Sequence, residues 1–222
     1  MKKISIVCAA ILTIFAACSN NKDKPTDAVA EANAINERAQ EAIENAPPVA
    51  KKYQIKSGII TFEETANVGS MKLTSKKIHY FDDYGMKERE DSFDEEGQLK
   101  ESFMSDGKDL ILLMHKDQTA YKRGKAYRGT AYRVDYNEFS QEDKASGKVK
   151  KLADEIILGK TCETYTYETE SLKGKYAGWG NICLRTEAET SGVKSVAIAT
   201  SFEEDAAVPA DKFTIPSGYA VQ

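Results

Sequence analysis

Residues 99–123, LKESFMSDGKDLILLMHKDQTAYKR, decide the fold that we expect for this chain. Three runs of strand-like sequence, at 99–104, 109–115 and 118–123, are separated by the turn-forming residues Ser105-Asp106-Gly107 and Lys116-Asp117. Runs of this length that are rich in apolar residues and bounded by Asp and Gly are typical of strands, and such short connections are typical of hairpins. The stretch therefore predicts an antiparallel meander.

The middle run is apolar at every position from Leu110 to Met114. Since successive side chains of a strand point to opposite faces of a sheet, this strand needs an apolar cover on both sides. The second cover is either a helix of the same chain or a bound ligand, and the sequence leaves both open. The side chains expected to line a ligand cavity are Met71, Leu73, Met104, Leu110, Leu112, Met114 and Trp179. If the core is solid instead, we expect it to be filled by Met71, Leu112, Met114 and Trp179.

The same strand pattern extends to both sides of this stretch. Upstream, strands are expected at 53–62, 68–81 and 86–93, and Asp82-Asp83-Tyr84-Gly85 has the composition of a turn. Downstream, the expected strands are 161–167, 176–187, 192–202 and 213–215. The domain is therefore predicted to be mainly β (α+β).

A short helical insert is expected between these two groups of strands. Ser140-Gln141-Glu142-Asp143 resembles a capping box that opens a helix. Helical spacing then recurs over 148–157, with Val149, Leu152 and Ile156 on one side and Gly159 as the stop. We expect this insert to pack across the open face of the sheet.

The first 17 residues have the pattern of a secretory signal peptide, with Lys2 and Lys3 before an apolar run too short to span a bilayer. Ala16-Ala17, directly before Cys18, resembles a bacterial lipobox, although Phe15 stands where an aliphatic residue is usual. This resemblance implies that Cys18 is acylated and becomes the first residue of the mature chain. The alternative is an ordinary signal peptide that is cut near Ala17.

Two or three acyl chains on Cys18 would hold the protein durably at a membrane, since a single chain binds only marginally. Asn20 occupies the position at which an Asp would imply retention in the inner membrane, so we expect the outer membrane. The Ala- and Glu-rich stretch 27–46, which ends at Pro47-Pro48, predicts a helical spacer. The chain then divides into a signal peptide (1–17), a lipidated N-terminus with a helical tether (18–51) and one β domain (52–222).

The charge balance excludes one class of partner. The chain has 35 acidic and 31 basic residues, and removal of 1–17 leaves 29 basic residues and a formal charge of −6. Nucleic-acid binding requires a basic surface, so we expect no nucleic-acid partner. Attachment to a membrane must likewise come from the lipid on Cys18.

Cys162 and Cys183 are the two cysteines that remain if Cys18 is acylated and Cys8 is removed with the signal peptide. An exported compartment is oxidising, so a disulfide between them is expected. Both lie equally far from a turn expected at Ser171-Leu172-Lys173-Gly174, and the register of that hairpin would place them opposite each other.

No motif for catalysis or metal binding stands out. His79 and His115 are the two histidines, and neither lies at a metal-ligand spacing from another histidine or a cysteine. The serine-hydrolase elbow, the phosphate-binding loop and the zinc-protease motif are absent from the sequence. We therefore expect no catalytic residues, no metal and no cofactor.

Three segments carry a resemblance to a known family: YFDDYG at 80–85, GKTCETY at 159–165, and the ending with FEE at 202–204, VP at 208–209 and FTIPSG at 213–218. They resemble the LolA/LolB-like lipoprotein-carrier half-barrel and related bacterial lipoproteins of unassigned function. The resemblance implies a curved antiparallel sheet, an incomplete barrel whose helices close its mouth around a cavity for acyl chains.

The function implied by this resemblance is non-catalytic binding of an amphiphile, either an acyl chain or a lipoprotein, in the cell envelope. Two alternatives stay open. One is a structural or protein-interaction lipoprotein with a solid core, and the other is an envelope hydrolase. No oligomeric state is predicted.

Overall fold

The computed structural model describes residues 51–69, 71–125, 136, 139–190 and 192–222. The predicted signal peptide, the acylation site Cys18 and the helical tether all fall within residues 1–50 and lie outside the described residues. No helix among the described residues is long and apolar enough to cross a membrane.

The described residues form one large sheet and one short helix, α1, at Gln141–Ala145. Single 3-10 turns occur at Asp83–Gly85 and Ala210–Phe213. The thirteen strands are β1 Gly58–Val68, β2 Met71–Asp82, β3 Lys87–Phe93, β4 Leu99–Ser105, β5 Asp109–Met114, β6 Thr119–Lys125, β7 Val149–Lys151, β8 Glu155–Ile157, β9 Lys160–Glu168, β10 Lys173–Trp179, β11 Ile182–Thr190, β12 Val193–Glu204 and β13 Ala220–Val221.

The sheet is curved and does not close. Its strand order is β13-β6-β5-β4-β3-β2-β1-β12-β11-β10-β9-β7, with β8 paired to β9 outside this path. Every pairing is antiparallel except that of β13 with β6. The predicted fold, a mainly β, incomplete barrel with a short helical insert, is confirmed. The meander predicted from residues 99–123 is β4, β5 and β6.

The strand register divides the side chains between two faces of the sheet. One row runs across six neighbouring strands and consists of Ile60, His79, Glu90, Phe103, Leu112 and Tyr121. We call the face that carries this row face A. The opposite face, which carries Met104, Ile111 and Leu113, is face B.

Three clusters of buried residues form the core. The central cluster contains Tyr53, Ile60, Phe62, Phe81, Ile157, Cys162, Ala177, Ile182, Leu184 and Ala199. An aromatic cluster on face A contains Phe139, Val149, Tyr165, Tyr167, Tyr176 and Cys183. The third cluster lies on face B and contains Met104, Ile111, Leu113 and Ala120, against which Ile215 and Tyr219 pack.

The two ends of the domain cover opposite faces. At the N-terminal end, Tyr53 packs edge-on against Phe81 on face A, with ring centroids 5.0 Å apart. Gly85 permits this approach, because its φ is +83° and an added Cβ would lie 2.6 Å from the Tyr53 ring. At the C-terminal end, Ile215 and Tyr219 cover face B of β4–β6. Each terminal segment thus supplies a cover that the sheet needs.

The helix predicted over 148–157 is wrong. This stretch forms β7 and β8, which both pair with β9. Leu152 and Ile156, two members of the expected helical stripe, are 40% and 69% exposed. The helix predicted at the capping box is confirmed, since the Ser140 side chain accepts a hydrogen bond from the Asp143 backbone N–H at 2.9 Å. α1 itself buries no residue, and Phe139 directly before it reaches the aromatic cluster instead.

The strand predicted over 176–187 is also wrong in its extent. It is two strands, β10 and β11, because Gly180 and Asn181 between them both have positive φ and form a tight turn. The strand predicted at 213–215 is absent from the described C-terminal segment, where a 3-10 turn ends at Phe213.

Candidate binding surface

Five large side chains of β4–β6 lie together on face A and are only half-buried. We call this set the ladder, and its members are Phe103, Leu110, Leu112, Met114 and Tyr121. Phe103, Leu112 and Tyr121 are direct partners across the three strands. Side chains directly opposite each other in antiparallel strands are in contact, so the ladder is one continuous apolar strip.

The apolar side chains on the other face of the same strands are completely buried. Met104, Ile111, Leu113 and Ala120 are at most 3% exposed, and the C-terminal segment packs on them. The prediction that β5 is apolar on both faces and covered on two sides is therefore met fully on face B. On face A the cover is partial, which leaves apolar area for a further contact.

Ion pairs bound the ladder on its β3 side. Lys77 on β2 lies 3.0 Å from Glu64 and 3.2 Å from Glu90, the neighbour of Phe103 in its row. Burial opposes the charge of Lys77, but the two carboxylates outweigh burial and raise the pKa of Lys77 above its ordinary value. On this side the ladder therefore ends at a cluster of three charged side chains, in which the two glutamates neutralise Lys77.

The structure separates the seven residues predicted to line one cavity. Leu110, Leu112 and Met114 belong to the ladder, whereas Met104 lies on face B. Trp179 packs against the central cluster, with Lys160 Nζ 3.7 Å from its ring centroid. Met71 and Leu73 lie at the start of β2 and are 61% and 38% exposed. Three of the seven therefore share a surface.

A groove in the sheet lies away from the ladder. It has a volume of about 250 Å³ and is open to solvent on face B of β9–β12. Lysines and glutamates of neighbouring strands line it, among them Lys173, Lys175, Glu187 and Glu189. None of the predicted cavity residues borders it. Its charged lining differs from the mostly apolar lining of typical ligand pockets.

The predicted disulfide is not present, and both cysteines are buried free thiols. The prediction that they lie on neighbouring strands is wrong because β10 lies between β9 and β11. Gly178 of β10 pairs with Cys183 on one side and with Glu163, not Cys162, on the other. Two strand spacings amount to about 9.6 Å, beyond the Cα separation of about 7 Å that a disulfide spans.

We predict that both thiols stay reduced even under oxidising conditions. Protein purified from an oxidising compartment without reductant, then unfolded and alkylated, should gain two alkyl groups at Cys162 and Cys183. Burial raises the pKa of the Cys162 thiol, which disfavours the reactive thiolate, so alkylation of the folded protein should be slow. A mass that shows a Cys162–Cys183 bond would contradict the strand order.

A serine and a histidine on face B are in hydrogen-bond contact, as the nucleophile and base of a serine hydrolase are. Ser102 Oγ lies 2.7 Å from His115 Nε2, and His115 Nδ1 lies 2.6 Å from the Tyr219 hydroxyl. Asp91, however, accepts from Ser102 rather than orienting the histidine, with the Oγ–Oδ1 distance 2.5 Å. Ser102 is also fully buried and receives a hydrogen bond from Arg89. The network lacks the exposed nucleophile that acyl transfer needs, and it ties Tyr219 to the sheet.

The charge state of His115 suits this structural role. Its pKa is lowered by desolvation and by the positive charge of Arg89, and Asp91 offsets part of the effect. The neutral ring can donate from one nitrogen and accept at the other, as its two hydroxyl neighbours require. Among the described residues, no group of three or more His, Cys, Asp or Glu side chains has the arrangement of a metal site.

Sequence reasoning missed a second buried polar cluster, on face A. Lys52 Nζ donates to Glu88 Oε2 at 2.6 Å, and the Tyr53 hydroxyl donates to the other carboxylate oxygen. His79 Nε2 lies 3.5 Å from that oxygen. All four side chains are nearly or completely buried. They come from positions up to 36 residues apart in the chain, so no local pattern could have revealed them.

Comparison with known proteins gives a fold likeness only. No family model matches the sequence, and no curated protein matches it. The structure is similar to that of an uncharacterized conserved protein from Thermus thermophilus, with a TM-score of 0.50, 8% identity, and coverage of 86% of this chain and 98% of that chain. This likeness shows a shared fold.

Two further solved structures are similar at lower scores. A LolA superfamily protein from Nitrosomonas europaea has a TM-score of 0.39 and 11% identity, with 79% of this chain and 96% of that chain covered. A putative outer membrane lipoprotein-sorting protein domain from Vibrio parahaemolyticus has a TM-score of 0.37 and 10% identity, with 80% and 94% covered.

Proposed function

We propose that this protein is a membrane-anchored, non-catalytic lipoprotein of the cell envelope that binds an acyl chain, free or attached to a protein, on the ladder. The observation that carries the proposal is the contrast between the two faces of β4–β6. The apolar side chains of face B are fully buried, with the protein's own C-terminal segment packed on them, whereas the five ladder residues on face A are left half-buried.

The energetics of an acyl chain suit such a strip. Each methylene that leaves water contributes about 0.8 kcal/mol, so roughly ten methylenes along the ladder supply about 8 kcal/mol. Association costs at least about 4 kcal/mol in lost freedom of motion, which leaves a net gain of at most about 4 kcal/mol and an affinity that is millimolar at best for ten methylenes. Met114 adds adaptability, because its unbranched thioether packs against irregular apolar partners.

The sequence supports the membrane location. Cys18 follows a signal-peptide pattern, and its acyl chains would place the domain at the outer membrane. The stretch 18–51 would act as the tether and 52–222 as the binding domain. The resemblance of segments 80–85, 159–165 and 202–218 to the lipoprotein-carrier half-barrel points in the same direction.

The test is a titration of a fluorescent fatty acid against the chain that begins at residue 18 and carries Cys18→Ser. We expect saturable binding. Leu112→Trp should weaken it about tenfold, because the larger ring fills the strip that the ligand needs. Leu152→Trp is the control, since Leu152 is a 40% exposed leucine directly after β7, remote from the ladder in the strand order, and the substitution should leave binding unchanged.

Absence of saturable binding, together with absence of co-purified lipid in native mass spectra, would refute the proposal. A structural or protein-interaction lipoprotein would then be the remaining function. Equal weakening by both tryptophan substitutions would show that the ladder is not the binding surface.

A further inference from the structure

The ladder ends at a cation on its β6 side. Arg123 lies two residues beyond Tyr121, and its guanidinium carbon is 5.4 Å from the Tyr121 ring centroid. Residues two apart in a strand share a face, which places Arg123 beside Tyr121. Arg123 is also the extra residue of a bulge in β6, because Ile111 pairs with Lys122 while Leu110 pairs with Gly124. The cation–π contact holds it beside the ring that closes the apolar strip.

No carboxylate neutralises Arg123 among the residues described. Its neighbour Lys122 lies 3.5 Å from Asp109, and Lys77 on the far side of the ladder pairs with Glu64 and Glu90. Arg123 is exposed and belongs to no ion pair of the described residues. The acidic group of face A nearest in register is Glu88, in the row that ends at Gly124; it lies three strands away on β3 and pairs with Lys52.

The local sequence is basic as well. From 118 to 134 the chain contains five basic residues and no acidic residue, in a chain that is acidic as a whole. The positive charge at the β6 end of the ladder therefore has no compensating charge close in sequence.

We infer that the ladder selects anionic amphiphiles, whose carboxylate or phosphate pairs with Arg123 while the hydrocarbon chain runs over Tyr121 and Leu112 toward Phe103. This inference rests on the proposed function and names its ligand class. The guanidinium suits the role because its planar set of donors matches the two oxygens of a carboxylate or phosphate. A neutral amphiphile of the same length gains the apolar contact only.

The experiment compares three ligands of one chain length, namely tetradecanoate, tetradecyl phosphate and tetradecanol, in displacement of a fluorescent fatty acid from the Cys18→Ser chain. Inorganic phosphate is the fourth arm and separates a lipid head group from free phosphate. The variants are Arg123→Gln and, as the matched control, Lys122→Gln. Lys122 has the adjacent position in the sequence, but it pairs with Asp109 away from the ladder.

We expect Arg123→Gln to lower the affinity for the two anionic ligands about threefold, as for the loss of a partly exposed charge pair. The affinity for tetradecanol should stay unchanged. Lys122→Gln should leave the affinities for all ligands unchanged. Arg123→Lys should retain most of the preference for anionic ligands over tetradecanol. Inorganic phosphate should not displace the fluorescent fatty acid. Without the Arg123 and Lys122 substitutions, added salt should lower the affinity for tetradecanoate more than the affinity for tetradecanol, because salt screens the charge pair. This comparison tests the inference without any variant of Arg123.

Binding of all three amphiphiles with equal affinity and no salt dependence would overturn the inference while the proposed function stands. Displacement by inorganic phosphate alone would overturn it as well, since the site would then recognise a free anion. If no amphiphile binds at all, the proposed function itself fails.

Discussion

Glu88→Gln should destabilise the folded domain by about 3–5 kcal/mol, the usual result of removing one partner of a buried ion pair. The substitution keeps an acceptor for the Tyr53 hydroxyl but leaves the Lys52 ammonium, which is almost completely buried, without a counter-charge. Because domains of this size are stable by about 5–15 kcal/mol, the loss would be a large part of the total. Denaturant unfolding followed by circular dichroism measures it.

An exposed pair provides the control for Glu88. Lys173 and Glu168 lie 3.6 Å apart, and both side chains are more than half exposed, so Glu168→Gln should leave the unfolding midpoint unchanged. Lys52→Met combined with Glu88→Gln should recover much of the lost stability, because the stranded charge is then removed. A Glu88→Gln midpoint equal to that of the unsubstituted protein would show that the buried pair does not stabilise the fold.

The same group predicts how stability depends on pH. Burial opposes the charge of Glu88, but Lys52 and His79 outweigh it and hold the pKa of Glu88 well below its ordinary value of 4.5. The unfolded chain therefore binds the proton more readily, so the stabilisation is fully present above about pH 4.5 and is lost as the pH falls below it. The unfolding free energy of Glu88→Gln should lack this acid-dependent component. If the slope of unfolding free energy against pH below 4.5 is the same in the variant as in the unsubstituted protein, Glu88 is not the group responsible.

Cys18→Ser should release the protein from the membrane completely. The acyl chains proposed for Cys18 account for all attachment in our interpretation, because the mature chain is acidic and binds a membrane poorly by charge. Detergent phase partitioning of the whole chain expressed in a bacterial envelope, followed by immunodetection, measures the effect. The unsubstituted protein should enter the detergent phase and the variant the aqueous phase.

Cys8→Ser is the matched control for the anchor, since Cys8 lies in the apolar run of the signal-peptide pattern and would be removed with it under the proposal. It should leave both partitioning and the mature N-terminus unchanged. Should Cys18→Ser remain in the membrane fraction with the same N-terminus as the unsubstituted chain, the lipid anchor on Cys18 would be refuted.

Local sequence by itself determined the strands of the central meander and the start of the helix. β4, β5 and β6 end within two residues of the boundaries expected from 99–123, because Asp, Gly and alternating apolar residues act over a few positions. The Ser140 cap was predictable for the same reason, since its hydrogen bond to Asp143 spans three residues. The need of β5 for two covers also followed from the run Leu110–Met114 alone.

Tertiary structure decided the rest. Residues 148–157 have apolar residues at helical spacing, yet they form strands because they pair with the edge of β9. The local sequence does not show that this edge is available for pairing. The extra strand β10 separates Cys162 from Cys183. The Lys52–Glu88 pair joins residues 36 apart. Contacts at such distances in the chain depend on how strands are ordered and registered, and only the folded sheet sets that order.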